Sequence, residues 1–266
     1  MADVKSVLAV THSSAFLRRN VRLDCYFPRF AEPSALLLFN DGQDLAAMGL
    51  ETLLEALWEA GKLRPLVCVG IHAGKDRLQE YGTAVSPDFK GRGSKAFLYT
   101  HFIVQELLPF LQREYGLPAS IERAFAGFSL GGLSAMDIVW NHPWLFRTAG
   151  VFSGSLWWRS KGYEAGYDER TDRLMHAQVG ARTASPDQRF FFECGTRDET
   201  ADRNNNGVID SIDDTLDLMA GLRRQGAGPS SLRYLEVPGG RHDAATWARA
   251  LPEFLQWAWG MRVGGA

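Results

Sequence analysis

The sequence predicts an α/β protein, with a mainly parallel central sheet and helices on both faces. Three observations carry that expectation. The apolar runs 35–39 and 66–71 are continuous rather than alternating, which is how strands buried on both faces read. Strand-like and helix-like segments alternate along most of the 266 residues, the pattern of crossover-linked parallel strands. Three residues able to do hydrolytic chemistry fall just past strand-like runs, where open α/β sheets place their sites. A chain of this length can bury one sizeable core. No repeat, linker or low-complexity tract divides 1–266, so a single domain is expected.

Residues 4–10 and 21–27 read as two early strands around a polar turn, and 28–34 as a loop. The buried strand 35–39 ends at Asn40-Asp41-Gly42-Gln43. A helix over 49–60 is stopped by Gly61. The strand 66–71 ends at His72, and the polar, glycine-rich 75–95 reads as an ordered surface loop. A long helix over 97–115 contains Pro109, which should kink it. Strand 121–126 leads into helix 130–141, and strand 148–152 into Ser153-Gly154-Ser155-Leu156-Trp157-Trp158. The rest reads as helix 167–179, strand 189–194, helix 215–225, strand 231–237 and a closing helix over 244–259.

Composition removes several function classes. A net charge of −2 offers no electrostatic case for nucleic acid or an anionic membrane. No apolar stretch reaches the ~18 residues of a membrane span, and the N-terminal residues carry no secretory apolar run. The three cysteines are scattered through strand-like runs, which reads as buried free thiols. A cytoplasmic protein acting on small molecules is the expectation. The eight Trp and sixteen Phe are ample for a core and an apolar pocket.

The chemistry centres on Gly127-Phe-Ser129-Leu-Gly131, a G-x-S-x-G between a strand and a helix. In that setting the pattern makes a nucleophile elbow, a sharp turn holding the serine clear of the backbone. Asp198 and then His242 follow, each just after a strand, in the chain order of an α/β-hydrolase triad. Of the six histidines only His242 sits in a glycine-rich turn after the final strand. The acid is Asp198, with Glu199 as its competitor. An oxyanion hole needs two N–H donors. Leu130 follows the nucleophile, and Gln43 lies in the loop after the third strand, where Gly42 lets the backbone turn inward.

These pieces resemble a known family, the esterase D group of α/β-hydrolases, which includes siderophore and feruloyl esterases. The resemblance rests on F-N-D-G-Q at 39–43, V-G-I-H at 69–72, D-R-L-Q-E-Y at 76–81 and E-L-L-P at 106–109. It continues through G-F-S-L-G-G at 127–132, S-G-S-L-W-W at 153–158, C-G-T-R-D-E at 194–199 and G-G-R-H-D at 239–243 with Trp247. It implies the α/β-hydrolase fold, carboxylic-ester hydrolysis and the same three catalytic positions. It also implies that 153–158 lines the substrate cleft, with Trp157, Trp158 and His72 as substrate contacts. The same triad would serve an acyltransferase or thioesterase.

A second motif is Asp202-Arg-Asn204-Asn-Asn206-Gly207-Val208-Ile209-Asp210-Ser-Ile-Asp213. Oxygen side chains fall at loop positions 1, 3, 5, 9 and 12, with Gly at 6, as in an EF-hand calcium loop. The side chains of Asp202, Asn204, Asn206, Asp210 and Asp213 and the carbonyl of Val208 would hold a structural calcium ion. Position 12 is Asp, where a calcium loop carries a bidentate Glu. No organic cofactor is implied. A non-catalytic calcium-binding module is the reading from a different class.

Overall fold

The computed structural model describes residues 7–29 and 31–261. Among them, eight strands form one sheet. In chain order they are β1 (Val7–Ser14), β2 (Arg19–Tyr26), β3 (Ala35–Asn40), β4 (Leu66–Ile71), β5 (Glu122–Phe128), β6 (Thr148–Phe152), β7 (Arg189–Arg197) and β8 (Leu232–Arg241). Their order across the sheet is β1-β2-β4-β3-β5-β6-β7-β8. The pairs β1·β2 and β2·β4 are antiparallel, and every pairing from β4·β3 to β7·β8 is parallel.

The helices are α1 (Leu50–Glu59), α2 (Arg77–Glu80), α3 (Ala96–His101), α4 (Leu108–Tyr115), α5 (Leu130–Asn141), α6 (Glu169–Asp172), α7 (Leu174–Gly180), α8 (Asp210–Arg224) and α9 (Ala244–Trp259). Successive strand side chains point to opposite faces, so each buried strand feeds two cores. Leu36 and Leu38 of β3, with Phe190 and Phe192 of β7, join a core with residues of α3, α4, α5, α7 and α8. Leu37, Phe39 and Phe191 join the other core, under α1 and α9. At its centre Phe254 packs against Phe39, Phe152 and Phe191, with ring centroids 5.2–6.4 Å away. Each such buried side chain contributes roughly 1.5–3 kcal/mol.

Several boundaries differ from the sequence reading. The first strand runs Val7–Ser14, and positions 4–6 of the expected strand lie outside the described residues. The long helix over 97–115 is interrupted by a π-helical turn, Phe102–Leu107, immediately before Pro109. Proline cannot donate back to the carbonyl of Gln105 and its ring crowds it, so the preceding turn widens. The expected helix over 167–179 splits into α6 and α7 at Arg173, which is extended. There the guanidinium is tied to Asp214 and Asp217 of α8, at 2.6 and 2.8 Å. α8 itself starts at Asp210, inside the expected metal loop. The 75–95 segment, read as a surface loop, holds α2 and buries Glu80, Tyr81, Thr83 and Asp88. Finally, β7 and β8 extend to Arg197 and Arg241, so Asp198 and His242 directly follow them. Among the described residues no helix is long and apolar enough to cross a membrane.

Candidate active site

Ser129 stands between the last residue of β5 and the first of α5, with φ 54° and ψ −121°. A non-glycine residue there is strained, and such strain persists only where the surroundings over-determine it. The surroundings do so. A Cβ on Gly127 would lie 2.5 Å from the carbonyl of Gly131, and one on Gly131 would lie 2.7 Å from Asp41 Oδ2. The Ser129 N–H donates to the Phe152 carbonyl at 2.8 Å, and its own carbonyl accepts from Ser155 N–H at 3.0 Å. Its hydroxyl lies 3.4 Å from that of Ser155. Leu130 opens α5, so its N–H has no intrahelical carbonyl four residues back.

The loop after β3 is bolted to this turn. Asn40 donates its amide to the Gly131 carbonyl at 2.7 Å and accepts from the Tyr99 hydroxyl at 2.5 Å. The Asp41 N–H donates to the buried Tyr81 hydroxyl at 3.2 Å. Arg77 forks onto the Asp41 carboxylate at 2.6 and 2.8 Å. The backbone turn differs from the sequence reading. Asp41, not Gly42, takes the left-handed conformation, with φ 58°. Gly42 instead allows contact with β4, since its Cβ would fall 2.3 Å from the Gly70 carbonyl carbon. Gln43 is exposed, and its side-chain carbonyl accepts from Ala73 N–H at 3.1 Å. Sequence reasoning missed Asn40, Asp41, Arg77, Tyr81 and Tyr99 as a supporting set. Four of the five sat in the quoted motifs at 39–43 and 76–81.

Asp198 and His242 line one small cleft of ≈ 140 Å³ together with Ser153, Trp157 and Glu199. Burial, opposed by Ser153 and by the charge of His242, raises the Asp198 carboxyl above its ordinary value. Both Asp198 oxygens are buried, and the Ser153 hydroxyl and the Gly195 backbone are the polar groups that favour its charged form. Glu199 is raised by burial, and the charges that bear on it are Asp210 and Asp214 rather than His242. His242 is at the exposed rim, edge-on to Trp247 with ring centroids 5.3 Å apart. Desolvation lowers its pKa, with the charge of Arg77 acting in the same sense and Asp198 and Asp243 opposing. That keeps the imidazole unprotonated, with a ring nitrogen free to accept a proton. Trp247 in turn stacks on Phe128, the residue before Ser129, at 5.0 Å. Among the described residues no hydrogen bond joins Ser129, His242 and Asp198. In unliganded sites such bonds are often long and tighten on binding.

The expected substrate contacts divide. Trp157 is half-buried and lines the cleft. Trp158 is fully buried in the core, where its ring would meet a Cβ on either Gly82 or Gly93 at 2.9 Å. It is a packing residue. His72 is taken by Asp24, Nε2 to Oδ2 at 2.6 Å, and lies outside this cleft. The reason is β2. It pairs antiparallel with β4, with Asp24 opposite Gly70, a partner that the sequence spacing does not reveal.

The metal loop also divides. Asn204 and Asn206 direct their amide nitrogens to Asp213 Oδ2 at 2.7 and 3.2 Å. Asp202 accepts from the N–H groups of Asn206 and Gly207 at 3.1 and 2.9 Å. Asp210, expected as a ligand, is instead engaged by Arg203, through its N–H at 2.9 Å and its guanidinium at 3.1 Å. Val208 donates its N–H to Asn206 Oδ1 at 2.8 Å. Among the described residues no three His, Cys, Asp or Glu side chains are grouped as metal ligands. The oxygens gathered here come from Asp202, Asn204, Asn206 and Asp213.

Residues 14–258 match the family described as "Putative esterase". The chain belongs to that esterase family. Relatives within reach are distant. An uncharacterized protein of Bacillus subtilis (strain 168), YbbA, is 30% identical over 125 residues, 45% of this chain and 49% of its own. The enterobactin esterase of Shigella flexneri superposes with a TM-score of 0.74 at 22% identity, covering 96% of this chain and 59% of that one. A ferulic acid esterase gives 0.70 at 19%, covering 95% and 97%. The siderophore hydrolase EstB of Aspergillus nidulans gives 0.68 at 15%, covering 96% of each chain. This esterase-family chain therefore spans about half the length of its curated relative and under two thirds of the Shigella protein. At these identities the structural likeness establishes the α/β-hydrolase fold.

Proposed function

We propose that the chain hydrolyses small-molecule carboxylic esters through an acyl-enzyme. Ser129 Oγ attacks the ester carbonyl and His242 takes its proton. Asp198 orients the imidazole and stabilises its charged form. The N–H groups of Leu130 and Gln43 hold the oxyanion. His242 then returns the proton to the leaving alkoxide, and water, activated by the same base, releases the acid. The observation that carries this reading is the strained Ser129 turn at the end of β5, with His242 and Asp198 directly after the neighbouring strands β8 and β7. Asp198 is favoured over Glu199 because its charge acts on His242, whereas Glu199 shares its surroundings with Asp210 and Asp214.

Trp157 gives the cleft an aromatic wall, and Arg92 lies over its ring at 5.0 Å. That wall suits an aromatic acyl group, in line with the names of the ferulic acid and enterobactin esterases. A fluorophosphonate probe, followed by a panel of feruloyl, catecholate-siderophore, aryl and short acyl esters, tests the proposal. Labelling confined to Ser129, with hydrolysis of at least one ester class, supports it. No labelling would return the chain to a binding role, and turnover only with an added acyl acceptor would make it a transferase.

A calcium ion at 202–213 is part of the same reading. Asp202, Asn204, Asn206 and Asp213 supply oxygens of the kind a hard cation takes, provided the two amides turn their oxygens inward. The ion would act structurally, neutralising Asp202 and Asp213 and steadying the turn that carries Asp198.

A further inference from the structure

Glu193 is a carboxyl group that the mechanism above leaves without a task. It lies on β7, fully buried, and shares the α9 face of the strand with Phe191. Its Oε2 is 3.5 Å from the Ser153 hydroxyl, and its Oε1 has no described partner. Ser153 is itself strained, with φ 45°, at the end of β6. Its backbone N–H is tied to the Glu193 carbonyl at 2.8 Å. The Ser153 hydroxyl accepts the indole N–H of Trp247 at 2.9 Å. It also favours the charged form of Asp198, whose two oxygens are buried, alongside the Gly195 backbone.

The groups whose charges act on Glu193 are Asp198 after β7 and Arg249 on α9. Cys194 of β7 and Tyr234 of β8 feel its charge in turn. No described cation lies within salt-bridge distance. A carboxylate so placed would be buried and uncompensated, so Glu193 keeps its proton. Burial and the charge of Asp198 push it up to about 8.

A serine hydroxyl has one proton and two lone pairs. Trp247 occupies one lone pair, since an indole only donates. A neutral Glu193 donates into the other, which leaves the Ser153 proton for Asp198. An ionised Glu193 reverses this, drawing the Ser153 proton to itself and placing a second negative charge beside Asp198. We propose that Glu193, as a neutral acid, is a positioning residue that sets the direction of the Ser153 hydroxyl and so holds Asp198 for His242. The proposal rests on the reading of Asp198 as the triad acid.

The sign of the pH effect follows. An unfolded chain ionises this glutamate near 4.5, while the folded chain keeps the proton to about 8. The folded state therefore binds more protons between those values, and its stability falls as pH rises through the window. Glu193→Gln keeps a donor toward Ser153 at every pH and cannot ionise.

The test is the melting temperature and the ester-hydrolysis rate of wild type, Glu193→Gln, Glu193→Ala and Asp198→Asn, each from pH 5 to 10. Wild type should lose kcat above about pH 8 with little change in KM. Glu193→Gln should lack that alkaline limb and melt progressively higher than wild type as pH rises. Glu193→Ala should lose up to about 10²-fold in kcat at neutral pH, and Glu193→Gln should restore most of it. Identical alkaline limbs and melting slopes in wild type and Glu193→Gln, with Asp198→Asn inactive, would overturn the Glu193 proposal alone. An active Asp198→Asn would sink the acid assignment, and the positioning role with it. If Glu193→Ala does not fold, the isosteric Gln variant still decides.

Discussion

Trp247 donates its indole N–H to the hydroxyl of Ser153 at 2.9 Å. The same ring is stacked on Phe128 beneath the nucleophile turn and meets the edge of His242. One side chain of α9 thus joins the ends of β5, β6 and β8. It does so from the first turn of the helix, which Asp243 caps by accepting Thr246 N–H at 2.9 Å.

Trp247→Phe keeps the ring on Phe128 and removes the donor. A net hydrogen bond contributes about 1 kcal/mol, so a modest fall in melting temperature is expected. The loss in kcat should be larger than that fall suggests, because Ser153 and Asp198 lose their orientation together. A variant with a lowered melt and unchanged kcat would show that Trp247 only packs.

Ser129→Ala and His242→Ala should each lower kcat by about 10⁶, and the double variant should be little worse, because the two act as a unit. Losses that add would leave His242 a binding role only. The pH profile supplies an independent check. Desolvation lowers His242 below its ordinary 6.5, so the base stays neutral and kcat/KM holds until the pH drops below that value. An acid limb centred above 7 would contradict the placement. The stability effect has the same sense. The unfolded chain protonates this histidine first, so stability declines as pH falls through 6.5.

Asp198→Asn should damage hydrolysis far more than Glu199→Gln. Of these two acids, Asp198 is the one whose charge acts on His242, and an amide in its place would hold the wrong tautomer. The reverse ranking in kcat/KM would move the acid to Glu199.

Calcium should raise the melting temperature of wild type, and EGTA should lower both the melt and kcat. A ligand at a hundredfold excess over Kd stabilises by about 2.7 kcal/mol. For a chain of this size that is roughly 5–10 °C. Asp202→Ala should reproduce the EGTA state with calcium present. Equal melts with and without EGTA, and no calcium by elemental analysis, would leave the loop as a polar turn.

The sequence by itself determined the sheet and most of its helices, and it singled out Ser129, Asp198 and His242 as candidates for a triad. Continuous apolar runs such as Leu66–Ile71 read as strands buried on both faces, and that run is such a strand. G-x-S-x-G between a strand and a helix reads as an elbow, and the structure gives Ser129 the strained backbone that this requires. These are local facts, written in a few adjacent residues. What the tertiary structure decided is pairing across the chain. His72 falls to Asp24 because β2 runs antiparallel beside β4. Trp157 faces the cleft while Trp158 turns into the core, because one step along the backbone changes the side that a residue presents. Asp210 goes to Arg203, its neighbour within the loop, since a guanidinium competes with any metal for the same carboxylate. Glu193 was invisible as chemistry, a single acid in the apolar strand Arg189–Arg197. Only the packing of Ser153 and Asp198 around it, with no described cation at salt-bridge distance, makes that residue a candidate for a proton held at the back of the site.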